Sequence, residues 1–268
     1  EGQYVESVPF NDLEASLKVL ETIKDDLACV IIEPVLGGAG CVPPAKGYLE
    51  GLQEFCKKNG ALFILDEIVT GFRLSLHGAQ GTYGLEPDLF TLGKICGGGM
   101  PIGVVCGDKD IMSLADPVSI REKEARCAIG GGTFSANPAT MVAGLATLDF
   151  LRKNERKVYG KVDRLGEMAR KGLAKIFADA GIPCRVTGIN SIFLTHFVKE
   201  GTKDVENATD VATSDRGKLV KYHMALMAEH GVFFLPTKMG AMSYAHDEAD
   251  VKKLLSATEK IASSGLLK

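Results

Sequence analysis

The chain has 268 residues, 46% of them hydrophobic and 24% charged, with a formal net charge of -3. This is the composition of a soluble globular protein of one large or two ordinary domains. The slight acidity, without any basic stripe interleaved with aromatics, excludes a typical nucleic-acid binder, and no uncharged apolar run is long enough to span a bilayer.

No basic-then-apolar opening reads as a signal peptide. Cys29, Cys41, Cys56, Cys96, Cys106, Cys127 and Cys184 are odd in number and scattered, with no C-x-x-C spacing. That pattern predicts reduced thiols in a cytoplasmic compartment. The histidines His77, His196, His223, His230 and His246 form no H-E-x-x-H pair and no cluster with cysteine, so no metal centre is expected.

In chain order, Asn11-Asp12-Leu13-Glu14 predicts a helix start with Asn11 as N-cap, followed by an apolar face of Leu13, Leu17 and Leu20. Ala28 to Ile32 reads as a short strand ending at Glu33-Pro34, and Gly37, Gly38, Gly40 and Pro43-Pro44 read as a loop. Tyr48, Leu49, Leu52, Phe55 and Cys56 make the stripe of a second helix, which Gly60 stops. Ala61 to Leu65 is a continuous apolar strand closing on Asp66, and Leu89–Leu92 and Gly103–Cys106 are further strands. Continuous apolar strands alternating with helices predict an α/β fold with a mostly parallel sheet covered on both faces. Ligands bind such sheets at the carboxyl ends of the strands, where Glu33 and Asp66 stand.

Asn137-Pro138 opens a helix to about Arg152. A longer helix carries Val162, Leu165, Met168, Ala169, Leu173 and Ile176 and stops at Gly181. The remainder predicts a strand at Ser191–Phe197, a mobile polar loop at Lys199–Gly217, a helix at Lys218–His230, a strand at Val232–Leu235 and a helix at Glu248–Ala262. This C-terminal part is α+β rather than alternating, so a domain change is expected near residue 153, with domains 1–153 and 154–268.

The residues with chemistry to offer are Lys94 and Asp66. Lys94 lies among apolar residues and Gly93, Gly97, Gly98 and Gly99. In a dry pocket its amine would be pushed toward the neutral, nucleophilic form, and a strand-end carboxylate can hold a proton on a heterocyclic nitrogen. The pair suits pyridoxal phosphate (PLP), bound as a Schiff base to Lys94 with Asp66 on the ring nitrogen. Other readings stand beside it. Asp66 can be a cap or ion-pair partner, and Lys94 a surface or phosphate-binding lysine. No Walker pattern supports the last, because Ile95 follows Lys94. Ile68 would share a side with Asp66 if the chain stayed extended, and could pack on a planar ring or simply in the core. Gly130 to Pro138 is a glycine-rich approach to a helix start, where phosphate binds readily, or only a capped loop.

Taken together in order, these stretches resemble the class III PLP-dependent aminotransferases of fold type I. The resemblance rests on Phe63-Ile64-Leu65-Asp66-Glu67-Ile68-Val69-Thr70-Gly71-Phe72-Arg73, Pro87-Asp88-Leu89-Phe90-Thr91-Leu92-Gly93-Lys94, Gly97-Gly98-Gly99-Met100-Pro101-Ile102-Gly103 and Gly132-Thr133-Phe134-Ser135-Ala136-Asn137-Pro138. Thr70–Arg73 and Ser243-Tyr244-Ala245-His246 look most like the glutamate-1-semialdehyde 2,1-aminomutase branch. The resemblance implies that Lys94 carries the Schiff base and shuttles protons, that Asp66 keeps the pyridine nitrogen protonated, and that Ile68 lies on one ring face. It implies a homodimer in which Thr133 bonds the phosphate of the partner subunit's cofactor, a small amino or keto substrate, and structural roles for Glu33 and Arg73.

The resemblance also implies that the chain is the C-terminal, larger part of a family member. The family's phosphate cup and the aromatic residue on the other ring face do not occur before Asp66. Lys238 stands where the aminomutase branch has an acidic residue, and Ala115 to Ile129 is longer than in that branch. A transaminase for another amino acid, β-amino acid or amino sugar, and a non-catalytic truncated fragment, remain alternatives to the aminomutase.

Overall fold

The computed structural model describes residues 4–116 and 132–267. Cys127, most of the Ala115–Ile129 stretch, and Gly130 and Gly131 lie outside the described residues. The chain folds into two compact units, Glu1–Pro34 with Lys46–Glu155, and Val35–Ala45 with Arg156–Lys268. A single boundary near residue 153 has no place for the excursion at Val35–Ala45. That segment belongs to the second unit because the Gly40 carbonyl accepts a hydrogen bond from Thr187 Oγ1 at 2.7 Å and lies 3.0 Å from His196 Nε2.

The first unit runs α1 (Leu13–Ile23), β1 (Cys29–Ile32), α2 (Tyr48–Asn59), β2 (Leu62–Asp66), α3 (Gly78–Tyr83), β3 (Leu89–Gly93), β4 (Gly103–Gly107), α4 (Lys109–Ser113) and α5 (Pro138–Lys153). Its sheet has the order β1-β2-β3-β4. β1, β2 and β3 are parallel, with Ile32 opposite Leu65 and Asp66 opposite Thr91. β4 runs antiparallel to β3, with Gly93 opposite Gly103. The short link from Lys94 to Ile102 dictates this, since a parallel crossover needs a dozen residues or more.

The stripe predicted for α2 is its buried face: Tyr48, Leu49, Leu52, Phe55 and Cys56 are all buried, and Gly60 closes the helix in the left-handed region. The first cap differs from expectation. Asp12, not Asn11, caps α1 by accepting from Ala15 N at 2.9 Å, because Asn11 takes φ 67 and turns the chain into the helix. At α5 the expected cap forms, with Asn137 Oδ1 accepting from Thr140 N at 3.0 Å.

The second unit contains α6 (Glu155–Asp179), β5 (Cys184–Ile189), β6 (Ile192–Phe197), α7 (Ala208–Thr213), α8 (Arg216–His230), β7 (Gly240–Ala241) and α9 (Glu248–Ser263). β5-β6-β7 form an antiparallel sheet, and β6 is buried along its whole length. Phe177, Phe197 and Tyr222 meet edge to face at 5.2–5.9 Å, a geometry that adds about 0.5–1.5 kcal/mol per pair beyond area burial.

Two expectations change here. The polar stretch at 199–217 contains α7, capped by Asn207, and Arg185 anchors it through the carbonyls of Thr202 and Lys203. Residues 232–235 form no strand. Gly231 ends α8, Phe234 turns in to pack 4.8 Å from the His223 ring, and Phe233 is left 81% exposed. The continuous apolar run Val232-Phe233-Phe234-Leu235 matched a strand, but no neighbouring strand pairs with this segment among the described residues.

His223 makes the second unit acid-sensitive. It is 1% exposed, its Nδ1 accepts from Thr237 N at 3.2 Å, and burial pushes the imidazole down to about 4. The folded state therefore prefers the neutral ring. That contribution is whole above the unfolded value of about 6.5 and is lost as pH falls toward 4, amounting to about 3 kcal/mol. Burial also lowers His196, with the same sign, whereas it raises Asp163 to about 6, which favours the fold at low pH. The His223→Phe variant removes only the first of these. Its stability deficit relative to wild type is expected to shrink between pH 7 and pH 4.5 in paired thermal melts; a constant deficit would refute the assignment.

Candidate active site

β2 and β3 end side by side, and the residues after them build the site. Asp66 is the last residue of β2 and is half-buried. Its Oδ1 accepts from Ile68 N and from Thr91 Oγ1, both at 3.1 Å. Both bonds fall on Oδ1, so the carboxylate is fixed in orientation while Oδ2 stays available to a further donor.

Ile68 reaches the site by a route different from the one expected. The chain does not stay extended after Asp66 but turns at residues 68–70. The side chain is brought instead against the end of β3, where a Cβ on Gly93 would lie 3.0 Å from Ile68 Cδ1. Gly93 thus leaves room for an apolar side chain directly before Lys94.

Lys94 opens a short 3-10 turn, Lys94–Gly97, with φ 52. Its side chain is exposed. The dry pocket expected around the amine is therefore not made by the described residues of this chain. The turn is nevertheless held firmly. Gly98 takes φ 62, and a Cβ there would run into the Ala143 carbonyl and lie 2.7 Å from Thr147 Oγ1. On α5, a Cβ on Gly144 would strike the Cys96 carbonyl. Two glycines let the lysine turn lie backbone to backbone on α5. Burial pushes the Cys96 thiol up, and its Sγ donates to the Gly93 carbonyl at 3.4 Å.

Thr133 sits in an exposed turn ahead of α5, closed by Gly132 N donating to Ser135 Oγ at 2.9 Å. The structure brings Asp66, Ile68 and Lys94 to one end of the sheet; no hydrogen bond joins Thr133 to them among the described residues.

Sequence reasoning passed over two participants. Thr91 was read only as a strand residue, yet it orients Asp66. Glu67 enters the sequence reading only as a member of the Phe63–Arg73 motif, yet it is a carboxylate 1% exposed that accepts from Thr70 Oγ1, Ala79 N, Gln80 N and Gln80 Nε2 at 2.6–3.2 Å. The signal that could have found it is an acidic residue next to Asp66 in a run otherwise apolar. No group of His, Cys, Asp or Glu among the described residues is arranged to hold a metal ion, and no helix among them is long and apolar enough to cross a membrane.

Comparison with known proteins adds an independent line. The family model "Aminotransferase class-III" matches residues 5–246. The glutamate-1-semialdehyde 2,1-aminomutase of Methanosphaera stadtmanae is 41% identical over 254 residues, covering 94% of this chain and 57% of that protein. Among solved structures, an omega-transaminase from Sphaerobacter thermophilus superimposes with a TM-score of 0.85 at 32% identity, over 95% of this chain and 56% of its own. A glutamate-1-semialdehyde-aminomutase variant from Pseudomonas aeruginosa PAO1, in complex with PMP, gives a TM-score of 0.82 at 27% identity, over 97% and 56%. The chain spans little more than half the length of the relatives it matches.

Proposed function

The chain belongs to the class III aminotransferases, and on that premise we propose that it serves PLP-dependent transfer of an amino group, as a glutamate-1-semialdehyde 2,1-aminomutase or a close relative. The observation that carries the reading is the convergence of Asp66, Ile68 and the Lys94 turn at the ends of β2 and β3. The aminomutase reading draws on the 41% identical relative. A transaminase acting on another amine is the second reading, favoured by the TM-score of 0.85 to the omega-transaminase.

The donor set suits the ring side of the cofactor. Asp66 offers Oδ2 to a ring N–H while Oδ1 stays tied to Ile68 N and Thr91 Oγ1. Ile68 offers an apolar surface to a planar ring, and Lys94 an unencumbered primary amine. When bound, PLP supplies an aldehyde that captures amines and a ring that withdraws electrons from the neighbouring carbon.

Within that chemistry Lys94 Nζ would be the amine that holds the cofactor and the base that moves a proton at the substrate carbon. Asp66 would hold the proton on the ring nitrogen through Oδ2, with Oδ1 tied to Ile68 N and Thr91 Oγ1. Glu33 and Arg73 support the strand ends.

Thr133 reaches the phosphate held by a second subunit in a homodimer. What supports the dimer is the outer face of α5, where Met141, Val142 and Leu145 are 42%, 69% and 66% exposed, an apolar surface that calls for cover. The six free cysteines among the described residues suit a reducing compartment, the cytoplasm.

The test is titration of the purified protein with PLP, read as visible absorption. A saturable Schiff-base band is expected. Its absence would favour a fragment that is non-catalytic by itself. Turnover without added keto acid then identifies the mutase, and dependence on one identifies the transaminase.

A further inference from the structure

Among the described residues of the first unit Glu67 is the buried carboxylate, and nothing in the proposed chemistry uses it. Its carboxylate lies under the turn that follows Asp66 and takes four donors from Thr70, Ala79 and Gln80. Gly78, at φ 61, has no space for a Cβ because the Glu67 carboxyl group fills it. The main chain of Glu67 is tied as well: its N–H donates to Thr91 O at 3.0 Å, and its carbonyl accepts from Gly71 N at 2.8 Å. Burying a carboxylate costs several kcal/mol unless its lone pairs are filled. Here they are filled by Thr70 in the turn and by Ala79 and Gln80 in the first turn of α3, so the charge ties the turn after Asp66 to the start of that helix.

The neighbours of this residue are the two that face the cofactor in the reading above. Asp66 precedes it and Ile68 follows it. Ile68 N holds Asp66 Oδ1 only while the backbone at Glu67 keeps its present turn. We propose that Glu67 is a positioning residue: its buried carboxylate locks the turn after Asp66 onto the start of α3 and thereby fixes both the orientation of Asp66 and the seat of Ile68. This rests on the assignment of Asp66 to the cofactor ring nitrogen, although the hold of Glu67 on Asp66 can be measured without any cofactor.

The Glu67→Gln substitution keeps shape but replaces one carboxylate oxygen with an N–H₂, which then faces either Ala79 N and the Thr70 hydroxyl or the two Gln80 nitrogens, donor against donor. The primary experiment is amide hydrogen exchange on the chain without cofactor. Ile68 N–H, the donor to Asp66, is expected to exchange at least about tenfold faster in Glu67→Gln, with β1 and the second unit protected as in wild type. Unchanged exchange at Ile68 would overturn the proposal. Should Glu67→Gln lose protection everywhere, Thr70→Val removes one of the four donors at a position 1% exposed. A severalfold acceleration at Ile68 then supports the proposal, and none overturns it.

With PLP itself as the probe, the pH profile of the visible band is expected to move in Glu67→Gln. Faster exchange with an unmoved profile would reduce Glu67 to a loop support and sink its positioning role. If wild type binds no PLP, the functional reading fails, while the exchange comparison still decides whether Glu67 orients Asp66.

Discussion

Lys94→Ala is expected to abolish the visible band formed with PLP and to lower amino-group transfer by about 10²–10⁴-fold. The reason is chemical: alanine has no amine to hold the cofactor and none to move the proton at the substrate carbon. The structure adds that the fold should not notice. The Lys94 side chain is exposed, and the 3-10 turn is held by the contacts of Gly97, Gly98 and Gly144, not by the ammonium group. A change in stability within about 0.5 kcal/mol is expected. A variant that kept the band would show that another amine does the work.

Gly144→Ala is expected to do the reverse, damaging the fold and the site together. Glycine to alanine in a helix ordinarily stabilises by up to about 1 kcal/mol. At Gly144 the new methyl group meets the Cys96 carbonyl, a backbone atom that cannot rotate away, and overpacking of this kind costs about 1–3 kcal/mol. α5 must then lift off the turn that carries Lys94. Gly160→Ala in α6 is the control, since nothing lies within 4 Å of its Cβ position. Melting curves should move in opposite directions for the two variants, and only Gly144→Ala should weaken the PLP band. Equal shifts would mean that the lysine turn does not depend on α5.

The boundaries of α2, α5, α8 and α9 were legible because caps, apolar stripes and stop glycines act within one turn of chain. Other features depended on distant partners. β5 escaped notice because its residues Cys184–Ile189 carry no strong alternation and become a strand only by pairing with β6. The segment at 232–235 had the apolar run and lacked the partner. α7 was hidden in a polar stretch that carries no apolar stripe; its start is set by the Asn207 cap, and Arg185 ties down the chain ahead of it.

The same division runs through the site. Lys94, Asp66, Ile68 and Thr133 were chosen from motif order, and the family they indicated is the one to which the chain belongs. The dry pocket around Lys94 was inferred from flanking residues and is not built by them, since burial is a property of what packs above the turn. By itself, then, the sequence determined the chemical inventory, the local caps and stops, and the family, because these depend on residue type and short-range spacing. Only the tertiary structure decided that Ile68 reaches Gly93 through a turn, that Thr91 aims Asp66, that Glu67 locks the loop between them, and that Val35–Ala45 belongs to the second unit. Each of these is a hydrogen bond or close approach between residues far apart along the chain, and its energy exists only once the backbone has brought them together.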